Sequence, residues 1–145
     1  MASHFSLNVA AELQNLVKIR DFVGQTAAAL EVDPGTIPNL QLAVDEAVAN
    51  IILHGYRGEA GQIEIVVERK ANDLVISLRD QAPLFDPTQA VTPNLTAPLA
   101  ERQPGGMGLH LIRQIVDQMA YRVTEAGGNE LTLVKQAVSQ PPPAP

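Results

Sequence analysis

The stretch from Leu40 to Leu53 is apolar on every side of a helical wheel: Leu40, Leu42, Ala43, Val44, Ala47, Val48, Ala49, Ile51, Ile52 and Leu53. A helix of this kind cannot lie on a surface, so the rest of the chain must wrap it as a central element. The same stretch carries Glu46 and Asn50, with His54 just beyond it. Residues four apart stack along one side of a helix, so the three form a polar file on an apolar cylinder. Burying such groups without partners costs roughly 1 to 3 kcal/mol each, and far more for an ionised carboxylate. One reading is a solvent-facing stripe shared with Gln41 and Asp45, its spacing accidental. The other is an oxygen-rich site, in which Glu46 polarises a hydroxyl or water and Asn50 offers a carbonyl to a hard cation. Mg²⁺ takes few protein oxygens when phosphates and water supply the remainder.

The surrounding sequence has the elements to bury this helix. His4 to Val9 alternates like an edge strand, and Ala11 to Leu30 has helical spacing. Asp33-Pro34 and Pro38 open the central helix, predicted to run from about Pro38 to about His54 and to stop at Gly55 and Gly58. Gln62 to Arg69 and Leu74 to Leu78 read as a hairpin around residues 71–73, with Asp80 closing its second strand. Residues 81–104 turn rich in Pro, Ala, Thr and Asn and read as a lid. Gly105, Gly106 and Gly108 lead into a short helix ending near Asp117, and Tyr121 to Glu125 with Glu130 to Lys135 form a last hairpin. The predicted fold is a two-layer α/β sandwich with a mixed, largely antiparallel sheet and three main helices on one face. One domain spans 1–137, and the proline-rich residues 138–145 are expected to form a disordered tail.

Composition narrows the function classes. The 145-residue chain has a net charge of −6 and no cysteine. Its acidity argues against nucleic acid or an anionic membrane as a direct partner, and the missing thiols remove disulfides, Cys nucleophiles and Cys-ligated zinc. Without a signal-like start or a membrane-length apolar run, it is expected to be cytoplasmic.

Two further motifs follow the central helix: RDQAPLFDP at 79–87, with an Asp ending a strand, and GGMGLHLI at 105–112, with glycines at a helix start. In order and spacing, EAVANIILHGY, RDQAPLFDP and GGMGLHLI together resemble the GHKL (Bergerat-fold) ATP-binding domain, and within it the anti-sigma-factor serine/threonine kinases of partner-switching modules. The resemblance implies ATP and Mg²⁺ as cofactors, with Glu46 as general base and Asn50 as the Mg²⁺ ligand. It makes Asp80 the acceptor for the adenine amino group, followed by Ala82, and Gly105, Gly106, Gly108 and Leu109 the glycine box around the phosphates. In the last hairpin Gly128-Asn129 stands where many relatives place Gly-Thr beside adenine, with Thr132 as a substitute for the threonine. Ala82 departs from the family pattern, which has a glycine there, and this bears on nucleotide affinity. The partners implied are a sigma factor and a STAS-type antagonist, with a homodimer as the family expectation. The alternative is a nucleotide-gated or inactive module that only sequesters a partner. His54, Tyr56, Arg102 and His110 read as packing or solvated residues, and Arg20 as an exposed side chain able to meet a partner.

Overall fold

In the strand Asp73–Asp80, Leu74, Ile76, Leu78 and Asp80 are buried and the residues between them are only half-buried. That alternation gives a sheet with one covered face and one partly open face. The computed structural model describes residues 3–89 and 106–139, with backbone alone at 106–108. Its strands are β1 (His4–Ala10), β2 (Gln62–Lys70), β3 (Asp73–Asp80), β4 (Gln118–Val123) and β5 (Asn129–Lys135), and its helices α1 (Leu16–Ala29), α2 (Ile37–Asn50) and α3 (Gly106–Ile115). The five strands lie in the order β1-β2-β3-β5-β4. The sheet predicted as mixed and largely antiparallel is antiparallel at each of these pairings.

Ile63, Ile65 and Val67 of β2, the inward residues of β3, and Leu131 and Leu133 of β5 line the covered face. Across it lie Ile19 and Val23 of α1, Leu40, Val44 and Val48 of α2, and Ile112 of α3, all fully buried. The middle helix is α2, packed against both α1 and α3. On its α1 side, Arg20 Nη2 meets Asp45 Oδ2 at 2.6 Å, and Gln41 Nε2 donates to the Arg20 carbonyl at 3.0 Å. Arg20 is thus engaged within the chain.

Several boundaries shift from their predicted places. A 3₁₀ turn at Leu13–Asn15 precedes α1. The central helix is α-helical only to Asn50, after which Ile51–Gly55 form a wider π turn. β4 begins at Gln118 rather than Tyr121, and α3 starts at Gly106, so the glycines occupy its first turn. Past residue 137, Val138 is fully buried, and Asp33 N–H donates to its carbonyl at 2.7 Å. Most of the predicted lid, including Arg102, lies outside the described residues, as do residues 140–145.

Candidate functional site

Glu46 and Asn50 owe their placement to helical geometry. On α2 they are turned about 100° and 140° from Asp45, which faces α1. They therefore do not share the α1-facing side of α2 with Asp45. Both are half-buried, and Glu46 makes no hydrogen bond or ion pair among the described residues. Asn50 Nδ2 is buried without a hydrogen-bond partner. Since the two ends of an amide are interchangeable in such a setting, the vacancy fits an Oδ1 aimed at a cation or its water equally well. A buried polar atom without a partner calls for an explanation, and an oxygen-seeking ion supplies one. Among the described residues no cluster of three or more His, Asp or Glu forms a metal cage. Mg²⁺ at Asn50 would thus depend on phosphate oxygens for most of its shell. His54 sits in the π turn and is exposed.

Asp80 ends β3 with its side chain on the covered face and is 6% exposed. Its Oδ1 accepts from Ala82 N–H at 2.9 Å, closing a tight Asx turn, and from Asn129 Nδ2 at 2.8 Å. Burial raises its pKa above the ordinary carboxylate value, and the bonds from Asn129 and Ala82 pull the other way. The turn after it is pinned from two sides. Tyr56 Oη accepts from Gln81 N–H at 2.8 Å while donating to the Gln62 carbonyl at 2.7 Å. Asn129 Nδ2 also donates to the Ala82 carbonyl at 3.1 Å, and its Oδ1 accepts from Phe85 N–H at 3.1 Å and Tyr121 Oη at 2.6 Å.

Two glycines make this approach feasible. A Cβ on Gly128 would collide with the Asp80 carbonyl, so β5 can enter beside Asp80 only without one. A Cβ on Gly55 would come within 3.2 Å of the Ala82 methyl. Ala82 therefore stands over Gly55, 5% exposed, and joins the end of the π turn to the turn after Asp80. The methyl group that departs from the family glycine packs against α2's exit.

The structure thus links Asp80, Ala82 and Asn129 directly and joins them to the end of the α2 segment through Gly55. Gly106 and Gly108 lie in the first turn of α3, and Leu109, next to them, is buried. Gly105 lies outside the described residues. Thr132 does not join the group. It pairs with Ser77, whereas Asn129 pairs with Asp80, and an odd offset along a strand turns a side chain to the other face. Tyr121, Phe85, Tyr56 and Gly55 are the scaffold around the turn after Asp80 that the sequence does not mark out. Of these only the HisGlyTyr run beside the central helix gives a signal, Gly55 as a predicted helix stop and Tyr56 as a predicted packing residue. A surface cavity of about 450 Å³ lined by Glu12, Glu59 and Gln62 holds none of the site candidates.

The family model "Histidine kinase-like ATPase domain" matches residues 9–135. Serine/threonine-protein kinase BtrW of Bordetella bronchiseptica is 32% identical over 102 residues, covering 70% of this chain and 71% of that protein. An anti-sigma F factor of a Thermoanaerobacter species is 30% identical over 130 residues, covering 89% of this chain and 90% of its own. Among solved structures, that of the RsbU and RsbW domains of Rv1364c from Mycobacterium tuberculosis matches with a TM-score of 0.65 at 17% identity, over 93% of this chain. This chain spans 32% of that longer one, and the likeness is one of fold. With the match running from β1 into β5 and through all three helices, the chain belongs to the histidine kinase-like ATPase domain family.

Proposed function

We propose that the protein is an ATP- and Mg²⁺-dependent serine/threonine protein kinase that also acts as an anti-sigma factor in a partner switch. In one state it holds a sigma factor. In the other it phosphorylates a STAS-type antagonist on a hydroxyl side chain. The observation that carries this reading is the pair one turn apart on α2: a half-buried carboxylate with no partner among the described residues and an amide with a buried unpartnered atom. In a chain of this family, that pair suits a base and a cation ligand better than a stripe of solvated residues.

In this mechanism Asp80 receives the exocyclic amino group of adenine, and the backbone at the start of α3 meets the phosphates, where free N–H groups face anionic oxygens. Asn50 would hold Mg²⁺, which would supply positive charge to offset that on a transferring phosphoryl group. Glu46 accepts the proton of the attacking Ser or Thr hydroxyl and aligns its oxygen. The names of the two relatives, a serine/threonine-protein kinase and an anti-sigma F factor, support both halves of the proposal.

The test begins with proteins captured from the source cell with and without Mg-ATP, followed by mapping of any phosphorylated residue on them. Glu46→Gln should bind ATP within about twofold of the wild type while phosphate transfer to the captured antagonist falls about 10²- to 10⁴-fold. Undiminished transfer would remove Glu46 as base. No binding at millimolar Mg-ATP would leave only a sequestering module.

A further inference from the structure

The geometry points to Asn129 as a positioning residue for base recognition: its amide fixes one oxygen of Asp80 so that the other is presented to the 6-amino group of a purine. This rests on the nucleotide reading above. The orientation of the Asn129 amide is set by its neighbours. Phe85 N–H can only donate, so the atom that it meets at 3.1 Å must be Oδ1; the Ala82 carbonyl can only accept, so the atom 3.1 Å from it must be Nδ2. The donor end is thereby committed to Asp80 Oδ1 at 2.8 Å, alongside the Ala82 N–H at 2.9 Å. Rotating the carboxylate would break both bonds. The Oδ2 atom makes no hydrogen bond among the described residues. It is the acceptor left for a ligand, and it is held before the ligand arrives.

The two ends of Asn129 separate site from scaffold. Among the described residues its donor end touches only Asp80 and the turn after it, at Ala82 and, at 3.4 Å, Pro83. Its acceptor end ties Phe85 and, through Tyr121, the neighbouring strand β4. A purine with an amino group at position 6 donates to the presented oxygen, whereas one with a carbonyl there sets acceptor against acceptor. A fixed oxygen discriminates between them; a carboxylate free to turn away does so less, because ordering it would fall to the ligand.

Asn129→Asp keeps the shape and the acceptor end but replaces the donor with an oxygen. Tyr121→Phe removes one bond at the acceptor end and leaves the Asp80 contact intact. Binding of ATP and of inosine triphosphate, which carry an amino group and a carbonyl respectively at position 6 of the base, is measured for each variant with Mg²⁺, together with thermal melting. Asn129→Asp should weaken ATP about ten- to hundredfold with little change for inosine triphosphate, while Tyr121→Phe keeps the wild-type ratio. In turnover, KM for ATP should rise with kcat little changed. Asn129→Ser gives the same readout should the Asp variant fail to melt cooperatively. A folded Asn129→Asp or Asn129→Ser protein that retains the wild-type ratio overturns the inference. A wild type that binds neither nucleotide instead overturns the reading on which it rests.

Discussion

Asp80 holds a charge that its surroundings resist. Its pKa is raised chiefly by burial, so the neutral form is favoured by folding. The sign follows: the stability linked to this group is present below its unfolded pKa and falls away as pH rises through the folded value. Asparagine in its place keeps an acceptor for Ala82 N–H and Asn129 and removes the buried charge. Asp80→Asn should therefore melt at or above the wild-type temperature at pH 7 while losing ATP binding, as read by calorimetry of both. Lower melting would mean that the ionised carboxylate is what holds the turn. Asp80 was legible in the sequence because it ends an alternating strand just before a change of composition. The role of Ala82 was not, since nothing in the chain says that its methyl faces Gly55 rather than a base. The opposite placement of Thr132 was within reach: Leu131 and Leu133 are apolar and buried, so a strand of period 2 turns the residue between them outward.

At the scale of elements, the partly open face of the sheet is laced by charge. Glu64 of β2, Arg79 of β3, Glu130 of β5 and Arg122 of β4 are successive cross-strand partners. They alternate in sign, with contacts of 2.7 Å for Glu64–Arg79 and 2.6 Å for both Arg79–Glu130 and Arg122–Glu130. Glu130 is the buried member, its side chain 8% exposed, and Arg122 and then Arg79 lower its pKa against the effect of burial. Its stabilising share is complete above its ordinary value of 4.5 and is lost as pH falls through the lower folded value. Glu130→Gln should cost about 1 to 2 kcal/mol at pH 7, by urea denaturation, and the difference from wild type should shrink below about pH 4. A gap that stays constant with pH would show that shape, not charge, holds the ladder. The strands and helices that form this framework were legible from periodicity. The π turn was not, since past Asn50 the apolar residues Ile51, Ile52 and Leu53 continue the helical pattern and only the backbone hydrogen bonds reveal the change of pitch. Val138 was hidden for another reason: its neighbours are prolines and small polar residues, so local composition spoke for a solvated tail.

Across the whole molecule, the last described residues close the end of the sheet remote from Asp80. Val138 is fully buried, and its N–H donates to the Asn72 carbonyl at 3.0 Å. Arg69 Nη1 donates to the Leu30 carbonyl at the end of α1 at 2.7 Å, and Nη2 to Ser139 Oγ at 2.5 Å. Ending the chain after Gln136 should cost about 1.5 to 3 kcal/mol, the worth of one buried Val side chain. Ending it after Ser139 should change stability by less than about 0.5 kcal/mol. Urea denaturation of the two truncations decides this, and equal stabilities would make the Val138 contact idle.

Arg69 also donates its backbone N–H to the Ser3 carbonyl at 3.0 Å, so Ser3 and Ser139 meet at a single residue. Asp80 stands at the other end of β3, six residues along from Arg69's partner Leu74 and roughly 20 Å away by strand rise. A dye, bead or surface tether hung from either serine would leave the surroundings of Asp80 unshadowed, and a brief linker could join the two serines into a ring around an untouched centre.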